Sequence, residues 1–338
     1  MSSSSDRVTT RQWRDGQAVA SDFPLSEVSE RLEEDGSLIW VDLCDPGRAH
    51  LAELAGELGL DSHAVEDAVT AYERPKATRH ARHTFLTVYA TRLDPGDPTP
   101  GRRESRLVTS RISAFVLPRG IITVRSDDTF DMAPVLERWN EDPELLRLGV
   151  GALVHGLLDT VVDGHFEAIQ RLDDAIEGLE DLLFDDRGPS HEVQVRTYRL
   201  RKELVELRRV VLPMREVVNA VLRHRSELEG RHTELDGSYD DLYDHVLRAS
   251  EWTESLRDMI TTVFETNLSL QDARLNTVMK KLTGWAAIIA VPTAVTGWFG
   301  QNVPYPGFGK GSGVLMSAGV ILGIGVVLYI VFKRKSWI

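Results

Sequence analysis

Residues 280–299 read KKLTGWAAIIAVPTAVTGWF, two lysines followed by eighteen residues without a charge. A second uncharged run of nineteen residues occupies 314–332, and the basic residues Lys333, Arg334 and Lys335 follow it directly. As a helix, each run is about long enough to cross a hydrocarbon core of about 30 Å. A buried core helix is the alternative for either run alone, but two such runs with basic flanks predict two membrane spans.

The distribution of charge predicts how these spans are oriented. The intervening segment, 300–313, carries a single charged residue, Lys310, whereas lysines precede the first span and basic residues follow the second. Segments rich in Lys and Arg stay in the cytoplasm. Residues 1–16 are Ser-rich and charged, and they lack the apolar stretch of a signal peptide. We therefore expect a multi-pass protein of the inner membrane, with both termini in the cytoplasm and a short external loop.

The charge balance excludes several classes of function. The formal net charge is −13, and all 52 Asp and Glu residues lie in 1–272, where they outnumber 32 Lys and Arg. An acidic excess of this size argues against a nucleic-acid partner. Cys44 is the only cysteine, so an internal disulfide and a thiolate zinc cage are excluded. No Gly-rich phosphate loop or Ser/His/Asp arrangement stands out, and we expect neither an enzyme nor an organic cofactor.

Residue patterns divide the chain before the first span into an α/β part and a helical part. Runs of apolar and β-branched residues predict strands at 38–43 and 84–92, and a hairpin formed by 107–117 and 121–125. Helical spacing predicts helices at 51–58 and 64–71, with Asp61 or Ser62 as the N-cap of the second. A Pro/Gly-rich loop is expected at 94–101, and helices from about Asp131 onward.

The helical part predicts a hairpin followed by one very long helix. Heptad spacing in 172–183 and 200–221 predicts an antiparallel pair, with Ser190 as an N-cap and a kink at Pro213. From 238 to 299 no glycine occurs before Gly284 and no proline before Pro292, so a helix roughly 93 Å long is expected. The predicted order is a disordered tail (1–20), a cytoplasmic α/β domain (21–150), a helical hairpin (151–235), a stalk helix (236–281), the first span (282–299), the external loop (300–313), the second span (314–332) and a basic tail (333–338).

The first span has one face of small or polar residues. Its members fall within about 60° of one direction on a helical wheel: Asn276, Met279, Thr283, Ala287, Ala290, Ala294, Gly297 and Gln301. We call this set the polar seam. Close helix packing through small residues is one explanation. A water-filled pore lined by the seam is the other, and it requires an oligomer. The Gly319-to-Gly323 GxxxG pattern of the second span predicts packing against the first.

Several short motifs around the spans resemble those of a known family. They are Tyr72-Glu73-Arg74-Pro75-Lys76, Leu212-Pro213-Met214-Arg215-Glu216, Tyr243-Asp244-His245, the run 276–283, Gly300-Gln301-Asn302 and the tail 333–338. Together they resemble the CorA family of divalent cation channels, over about residues 36–338. The resemblance implies a homopentameric funnel in the lipid bilayer. Its α+β cytoplasmic domain, a mixed sheet with flanking helices, would lead through a long helical stalk to two transmembrane helices, the first lining the pore.

The chemistry of the motif after the first span fits a hydrated cation. Mg²⁺ gives up its waters reluctantly, and a ring of Asn302 carboxamides would offer neutral oxygens that still release the ion. A C-cap role is the alternative for Asn302. The family usually has Met at the position of Gln301, and relatives tend to have acids in the external loop, of which 303–310 has none. These departures leave the choice among Mg²⁺, Co²⁺, Ni²⁺ and Zn²⁺ open.

The resemblance also implies a gate and a regulatory metal site. Met279 is the candidate gate, with Leu282 beside it, although core packing is an equal explanation for Leu282. Asp67 and Asp241 match acids that bind regulatory Mg²⁺ between subunits, and Glu66, Asp159 and Glu265 match less closely. An ordinary solvated surface acid is the alternative for each of them.

These expectations combine into one function and two rivals. The expected function is an inner-membrane Mg²⁺ channel that is gated by cytoplasmic Mg²⁺, with Mg²⁺ as both cargo and regulator. A Zn²⁺ transporter on the same scaffold is the first rival. The second is a membrane-anchored helical scaffold that conducts nothing, against which the polar seam counts.

Overall fold

A computed structural model describes residues 7–71, 73–94, 106–183, 191–229, 234–301 and 303–338. The chain divides into two compact units, Met1–Thr261 and Thr262–Ile338. The first contains a mixed sheet with helices on both faces, and the second contains two long apolar helical segments. The helix that begins at Glu234 supplies residues to both units.

Seven strands form the sheet of the first unit, in the order β2-β1-β3-β7-β6-β5-β4. Among the strands that the structure describes, only β3 and β7 pair in parallel, so the sheet is mixed as predicted. Every residue of β3 is buried, which is typical of a strand covered on both faces. The strands are β1 Arg7–Arg14, β2 Gln17–Ser21, β3 Ser37–Cys44, β4 Lys76–Arg79, β5 Thr84–Asp94, β6 Arg106–Leu117 and β7 Gly120–Arg125.

The described residues contain ten α-helices, several of which pack on the two faces of this sheet. On one face, α2 and α3 pack against alternate residues of the central strands, such as Phe85 and Phe115. On the other face, α4, α6 and the first turns of α9 close a core around Trp40 and Tyr239. The helices are α1 Val28–Glu33, α2 Arg48–Leu58, α3 Ser62–Val69, α4 Ala133–Glu141, α5 Pro143–Leu146, α6 Val150–Leu183, α7 His191–Val211, α8 Met214–Glu229, α9 Glu234–Phe299 and α10 Gly311–Arg334.

The expectation of a disordered tail over residues 1–20 is wrong for the part that the structure describes. Strands β1 and β2 occupy most of 7–20, and β1 pairs with β3 along eight residues. Trp13 is buried, with its ring 5.8 Å from that of Trp139 in an edge-on arrangement. Backbone pairing with β3 holds β1 in place, and few apolar side chains are needed for it. The polar composition of this segment therefore suggested disorder although the segment is ordered. Residues 1–6 lie outside the described part.

The helical hairpin is present, but its proline acts differently from the prediction. The heptad positions Leu172, Ile176 and Leu179 of α6 are buried. Helix α7 ends at Val211 and α8 begins at Met214, so Pro213 ends one helix instead of kinking it. A proline has no N–H to donate, and its ring clashes with the carbonyl four residues earlier. The predicted cap Ser190 and the loop from 95 to 101 lie outside the described residues.

The predicted long helix is confirmed. Helix α9 spans 66 residues, begins four residues before the expected start and includes both Gly237 and Pro292. Its first turns belong to the core of the first unit, where Tyr239 donates a hydrogen bond to the carbonyl of Gly151 at 2.9 Å. In the second unit, its remaining turns are followed by the loop from 300 to 310 and by α10.

Candidate functional site

The two predicted spans are the most apolar helical segments of the described chain. Within the described residues, only α9 and α10 are long and apolar enough to cross a membrane. Leu282, Ile289 and Trp298 on α9 are each more than two-fifths exposed in the protomer, and the apolar window of α10 has no buried residue. A contiguous apolar surface of this extent needs lipid or further protein to cover it.

The polar seam lies along one side of α9 and is uncovered in the protomer. Of its eight members only Ala287 is half-buried, and the others are exposed. The half-buried residues Ile288, Val291 and Val295 lie roughly 100° further around the helix. On that side, Phe332 and Ile338 approach the buried Gly284. The second span therefore leaves the seam open, although the prediction that the seam lines a pore stays a prediction.

The glycine pattern of α10 does not pack against the first span. Among the described residues, no atom outside the helix's own backbone lies within 4 Å of the point where a side chain at Gly319, Gly323 or Gly325 would begin. The expected GxxxG contact is therefore wrong within one protomer. Contact with the first span comes instead from the end of the chain, where a methyl group added to Gly284 would lie 3.1 Å from Ile338.

The C-terminal end of α9 is closed by a short turn. The N–H of Gly300 donates to the carbonyl of Thr296 at 2.8 Å, and the N–H of Gln301 donates to Trp298 at 3.3 Å. Gln301 is exposed, and Asn302, the last residue of the predicted selectivity motif, lies outside the described residues. In the following loop, the ring of Tyr305 packs edge-on against Phe299 and Phe308.

The two gate candidates lie at the N-terminal end of the first span. Met279 belongs to the polar seam, and Leu282 lies about 60° from Met279 around the helix, outside the seam. Both side chains are exposed in the protomer. Leu282 lines a shallow apolar groove on α9 together with Trp285 and Ile289. Core packing within the protomer therefore does not account for Leu282, and its role as a gate stays a prediction.

Asp67, a predicted regulatory ligand, already has a cationic partner. Its Oδ2 atom lies 2.7 Å from Nζ of Lys76, which also donates to Oε2 of Glu73 at 2.9 Å. Partial burial opposes the charged ammonium, but the hydrogen bonds to Asp67 and Glu73 outweigh it and raise the pKa of Lys76. Lys76 is therefore protonated at neutral pH and neutralises part of this acidic cluster.

The helix that carries Asp67 is fixed at both ends. At its N-terminus, Asp61 accepts hydrogen bonds from the backbone N–H groups of His63 and Ala64, which confirms Asp61 as the cap. At its C-terminus, the buried Arg111 donates to the carbonyl of Ala68 at 2.8 Å and to that of Thr70. The positive charge of Arg111 near the last carbonyl groups of the helix also interacts favourably with the helix dipole. The position of Asp67 is thus set by a rigid element.

The structure brings Asp159 and Asp241 toward the same imidazole. Asp159 is on α6 and pairs with Arg138 at 2.5 Å, and Asp241 is on α9 with an exposed side chain 3.8 Å from His245. His155 interacts electrostatically with both carboxylates; burial lowers the pKa of His155, and the two negative charges act in the opposite direction. Arg138 and His155 are thus neighbours of the predicted sensor acids.

The remaining candidates are not gathered in one protomer. Glu66 is exposed on α3, and Glu265 is exposed on the part of α9 that belongs to the second unit. Within the described residues, no group of three or more His, Cys, Asp and Glu could hold a metal ion. The resemblance implies that a regulatory metal site draws ligands from more than one subunit, and this stays a prediction.

Sequence reasoning missed Lys76, Arg138 and His155. Lys76 carried a usable signal, because it ends the quoted motif nine residues after Asp67 and basic residues so near an acid are potential partners. Arg138 and His155 gave no such signal. They reach Asp159 and Asp241 only because α4, α6 and α9 pack around one core.

Comparison with known proteins identifies the family. The family described as CorA-like Mg²⁺ transporter protein matches residues 35–334. The chain belongs to this family. The resemblance drawn from the motifs is thereby confirmed, and CorA-like proteins are transporters rather than enzymes.

Individual CorA-like relatives cover almost the whole chain. The cobalt/magnesium transport protein CorA of Thermotoga maritima is 27% identical over 94% of this chain and 89% of its own length. The complete structure of the CorA magnesium transporter from Methanocaldococcus jannaschii superposes with a TM-score of 0.73, at 22% identity and 98% coverage of both chains. That likeness confirms the predicted fold class. A zinc transport protein of Cronobacter sakazakii is 25% identical over 85% of this chain and 84% of its own length.

Proposed function

We propose that this protein is a Mg²⁺ channel of the inner membrane, assembled as a homopentamer and gated by cytoplasmic Mg²⁺. The observation that carries the proposal is the polar seam, a line of small and polar residues that the second span leaves uncovered along the first. A membrane helix with such a face needs either another helix or water beside it. In a ring of copies, the seams would enclose a water-filled path.

The seam suits an ion that keeps its hydration shell. The seam contains no charged side chain, and its side-chain oxygen and nitrogen atoms belong to Asn276, Thr283 and Gln301. Neutral acceptors bind the water molecules of a hydrated cation without holding it as tightly as carboxylates. At the outer end, the proposed ring of Asn302 carboxamides, with Gln301 beside it, selects the ion. At the inner end, Met279 and Leu282 form the apolar constriction that closes the path by excluding water.

Both termini lie in the cytoplasm in this proposal, and no nucleotide is required. The membrane potential supplies roughly 2.3 kcal/mol per elementary charge per 100 mV, or about twice that for a divalent cation. An inward driving force of this kind requires a device that stops the flow when the cell is replete. Asp67 and Asp241 supply that device by binding Mg²⁺ between neighbouring subunits, which holds the ring in its closed form.

Mg²⁺ is favoured over Zn²⁺ by the chemistry of the candidate ligands. The seam and the external mouth offer amide and hydroxyl oxygens, which suit hard cations, whereas Zn²⁺ prefers nitrogen and sulfur ligands. The one cysteine, Cys44, is buried in β3 and far along the chain from the spans. The zinc transport relative shows why the rival must be measured, since it shares the family's scaffold.

Ion flux through the purified full-length protein in liposomes tests the proposal. A Mg²⁺-sensitive dye inside the vesicles should report uptake that a negative interior potential accelerates, and external Co²⁺ or Ni²⁺ should compete. Uptake of Zn²⁺ in preference to Mg²⁺ would support the zinc rival. Absence of flux for all four ions, from protein that is shown to be inserted and assembled, would support the non-conducting scaffold.

A further inference from the structure

The ammonium group of Lys76 lies between two carboxylates at the edge of the α/β domain. Its Nζ atom is 2.7 Å from Asp67 and 2.9 Å from Glu73, and all three side chains are only about a quarter to a third exposed. Ion pairs of fully exposed, flexible side chains contribute little because water and side-chain entropy oppose them. This cluster is more sheltered than such pairs, and its members are held by neighbouring structure.

Each member of the cluster is attached to an ordered element. Lys76 is the first residue of β4 and pairs with Thr87 of β5. Asp67 lies in α3, whose C-terminus is held by Arg111. The segment that carries Glu73 is anchored because the hydroxyl of Tyr89 donates to the carbonyl of Glu73. The fold therefore holds the ammonium of Lys76 close to Asp67, and the ion pair does not rely on two freely moving surface side chains.

We propose that Lys76 is a tethered competitor of the regulatory cation at Asp67, and that it sets the Mg²⁺ concentration at which the channel closes. The inference rests on the proposed gating function. A divalent cation at Asp67 would lie close to the ammonium that is bonded to Oδ2, and the two positive charges repel each other. Lys76 therefore opposes metal binding at Asp67, and the metal binds more tightly once the ammonium has moved away.

The second carboxylate makes this exchange feasible. When a cation takes Asp67, Lys76 keeps its hydrogen bond to Glu73, so no half-buried ammonium is left without a partner. A group tethered at such short range acts at an effective concentration of millimolar or above. The competitor therefore raises the metal concentration needed for half-occupancy and keeps the site empty when Mg²⁺ is scarce.

Two substitutions should shift the closing concentration in opposite directions. Lys76→Met keeps the length of the side chain and removes the competitor, so half-maximal closure should occur at a Mg²⁺ concentration at least about threefold lower. Glu73→Gln removes the alternative partner of the ammonium, which strengthens its hold on Asp67, and half-maximal closure should then need more Mg²⁺. Opposite shifts in two variants are not expected from general damage to the fold.

The measurement is a Mg²⁺ titration of the full-length protein in detergent, read as protection of the cytoplasmic domain against protease, and in liposomes, read as flux. Lys202→Met is the matched control, because it removes one positive charge from an exposed position on α7 and should leave the titration unchanged. In an Asp67→Asn background, Lys76→Met should have no further effect, because Lys76 acts through Asp67.

Three outcomes would overturn the inference. An unchanged Lys76→Met titration, with a normal response in the unsubstituted protein, would remove the competitor role and leave the gating proposal intact. A higher closing concentration in Lys76→Met would mean that Lys76 positions Asp67 for the metal rather than competing with it. Absence of any Mg²⁺ response in the unsubstituted protein would overturn the gating proposal, and the competitor role with it.

Discussion

The Nε2 atom of His165 lies 2.8 Å from the carbonyl oxygen of Tyr89. This bond joins the fully buried face of α6 to strand β5, so the imidazole carries its proton on Nε2 and is neutral. Burial lowers the pKa of His165 to about 4, and the hydrogen bond to Tyr89 opposes that shift only partly. The protein therefore contains a buried histidine whose protonation opposes the folded state.

The first prediction is that acid destabilises the protein through His165. In the unfolded chain its pKa is near 6.5, so between pH 6.5 and 4 the unfolded state binds the proton more strongly. The contribution of His165 to stability is thus fully present above pH 6.5 and is lost as the pH falls toward 4, by at most about 3 kcal/mol. Melting temperatures of the full-length protein in detergent, measured from pH 7 to 5, would show it.

A matched pair of histidine variants isolates this effect. His165→Asn keeps a donor for the Tyr89 carbonyl and cannot titrate, so its melting temperature should depend less on pH than that of the unsubstituted protein. His63→Asn changes an exposed histidine and should leave the slope as it was. Equal slopes in all three proteins would assign the acid sensitivity to other groups.

The second prediction concerns the external mouth of the pore. Asn302→Ala removes the carboxamide ring that is proposed to hold hydrated cations, so Mg²⁺ flux should fall at least about tenfold while the oligomer still assembles. Val303→Ala truncates the exposed neighbour and should leave flux near normal. Flux in liposomes and the size of the assembly by light scattering are the two readouts. Near-normal flux in Asn302→Ala would favour the capping role of this residue.

The third prediction concerns the regulatory acids. The double variant Asp67→Ala with Asp241→Ala lacks both proposed ligands, so inhibition by internal Mg²⁺ should require higher concentrations, while conduction itself remains. Uptake measured against internal Mg²⁺ from micromolar to several millimolar gives the inhibition curve. Because a ligand stabilises only the state that binds it, protection by Mg²⁺ against protease should weaken in parallel.

A control with the same change in charge makes that result specific. Asp174→Ala with Glu177→Ala removes two exposed acids from α6, and its inhibition curve should match that of the unsubstituted protein. If the Asp67 and Asp241 variant also matched it, these two carboxylates would be ordinary surface acids.

The fourth prediction contrasts a buried ion pair with an exposed one. Arg125 donates to both carboxylate oxygens of Asp42, and both side chains are at most one-tenth exposed. Asp42→Ala leaves a buried guanidinium without its carboxylate and should destabilise the protein by about 3–5 kcal/mol. Asp35→Ala breaks the exposed pair with Arg119 and should cost less than about 1 kcal/mol. Thermal unfolding of both variants measures the difference, and equal losses would contradict the argument.

The parts of the fold that could be predicted are those in which local pattern and tertiary packing agree. Strand β3 is apolar along most of its length, and α9 has no glycine or proline between Gly237 and Gly284 and changes polarity once, so both were predictable from periodicity and composition. Strand β1 was not predictable in this way. Its residues are mostly polar, and only its pairing with β3 and the insertion of Trp13 order it.

The candidate site was predictable to the level of residue types but not of their partners. The motif around Asp67 indicated an acid with a function, and the short spacing made Lys76 a potential partner. The contact itself depends on the turn that leads the chain from α3 into β4. The relation of Asp159 and Asp241 to His155 depends on two helices separated by about eighty residues of sequence. Contacts of that range follow from packing, which periodicity does not encode.

The pairing of Trp13 with Trp139 has a consequence for how the protein is made and handled. More than a hundred residues separate the two indoles, so at about 5–20 residues per second the ribosome needs on the order of ten seconds to deliver the second after the first. Until then the nascent chain exposes a tryptophan and an open strand edge, which invites association with other chains. Fragments that begin at residue 21, where composition alone would place the start of the domain, would carry the same liability permanently, because β3 would lack its neighbour β1.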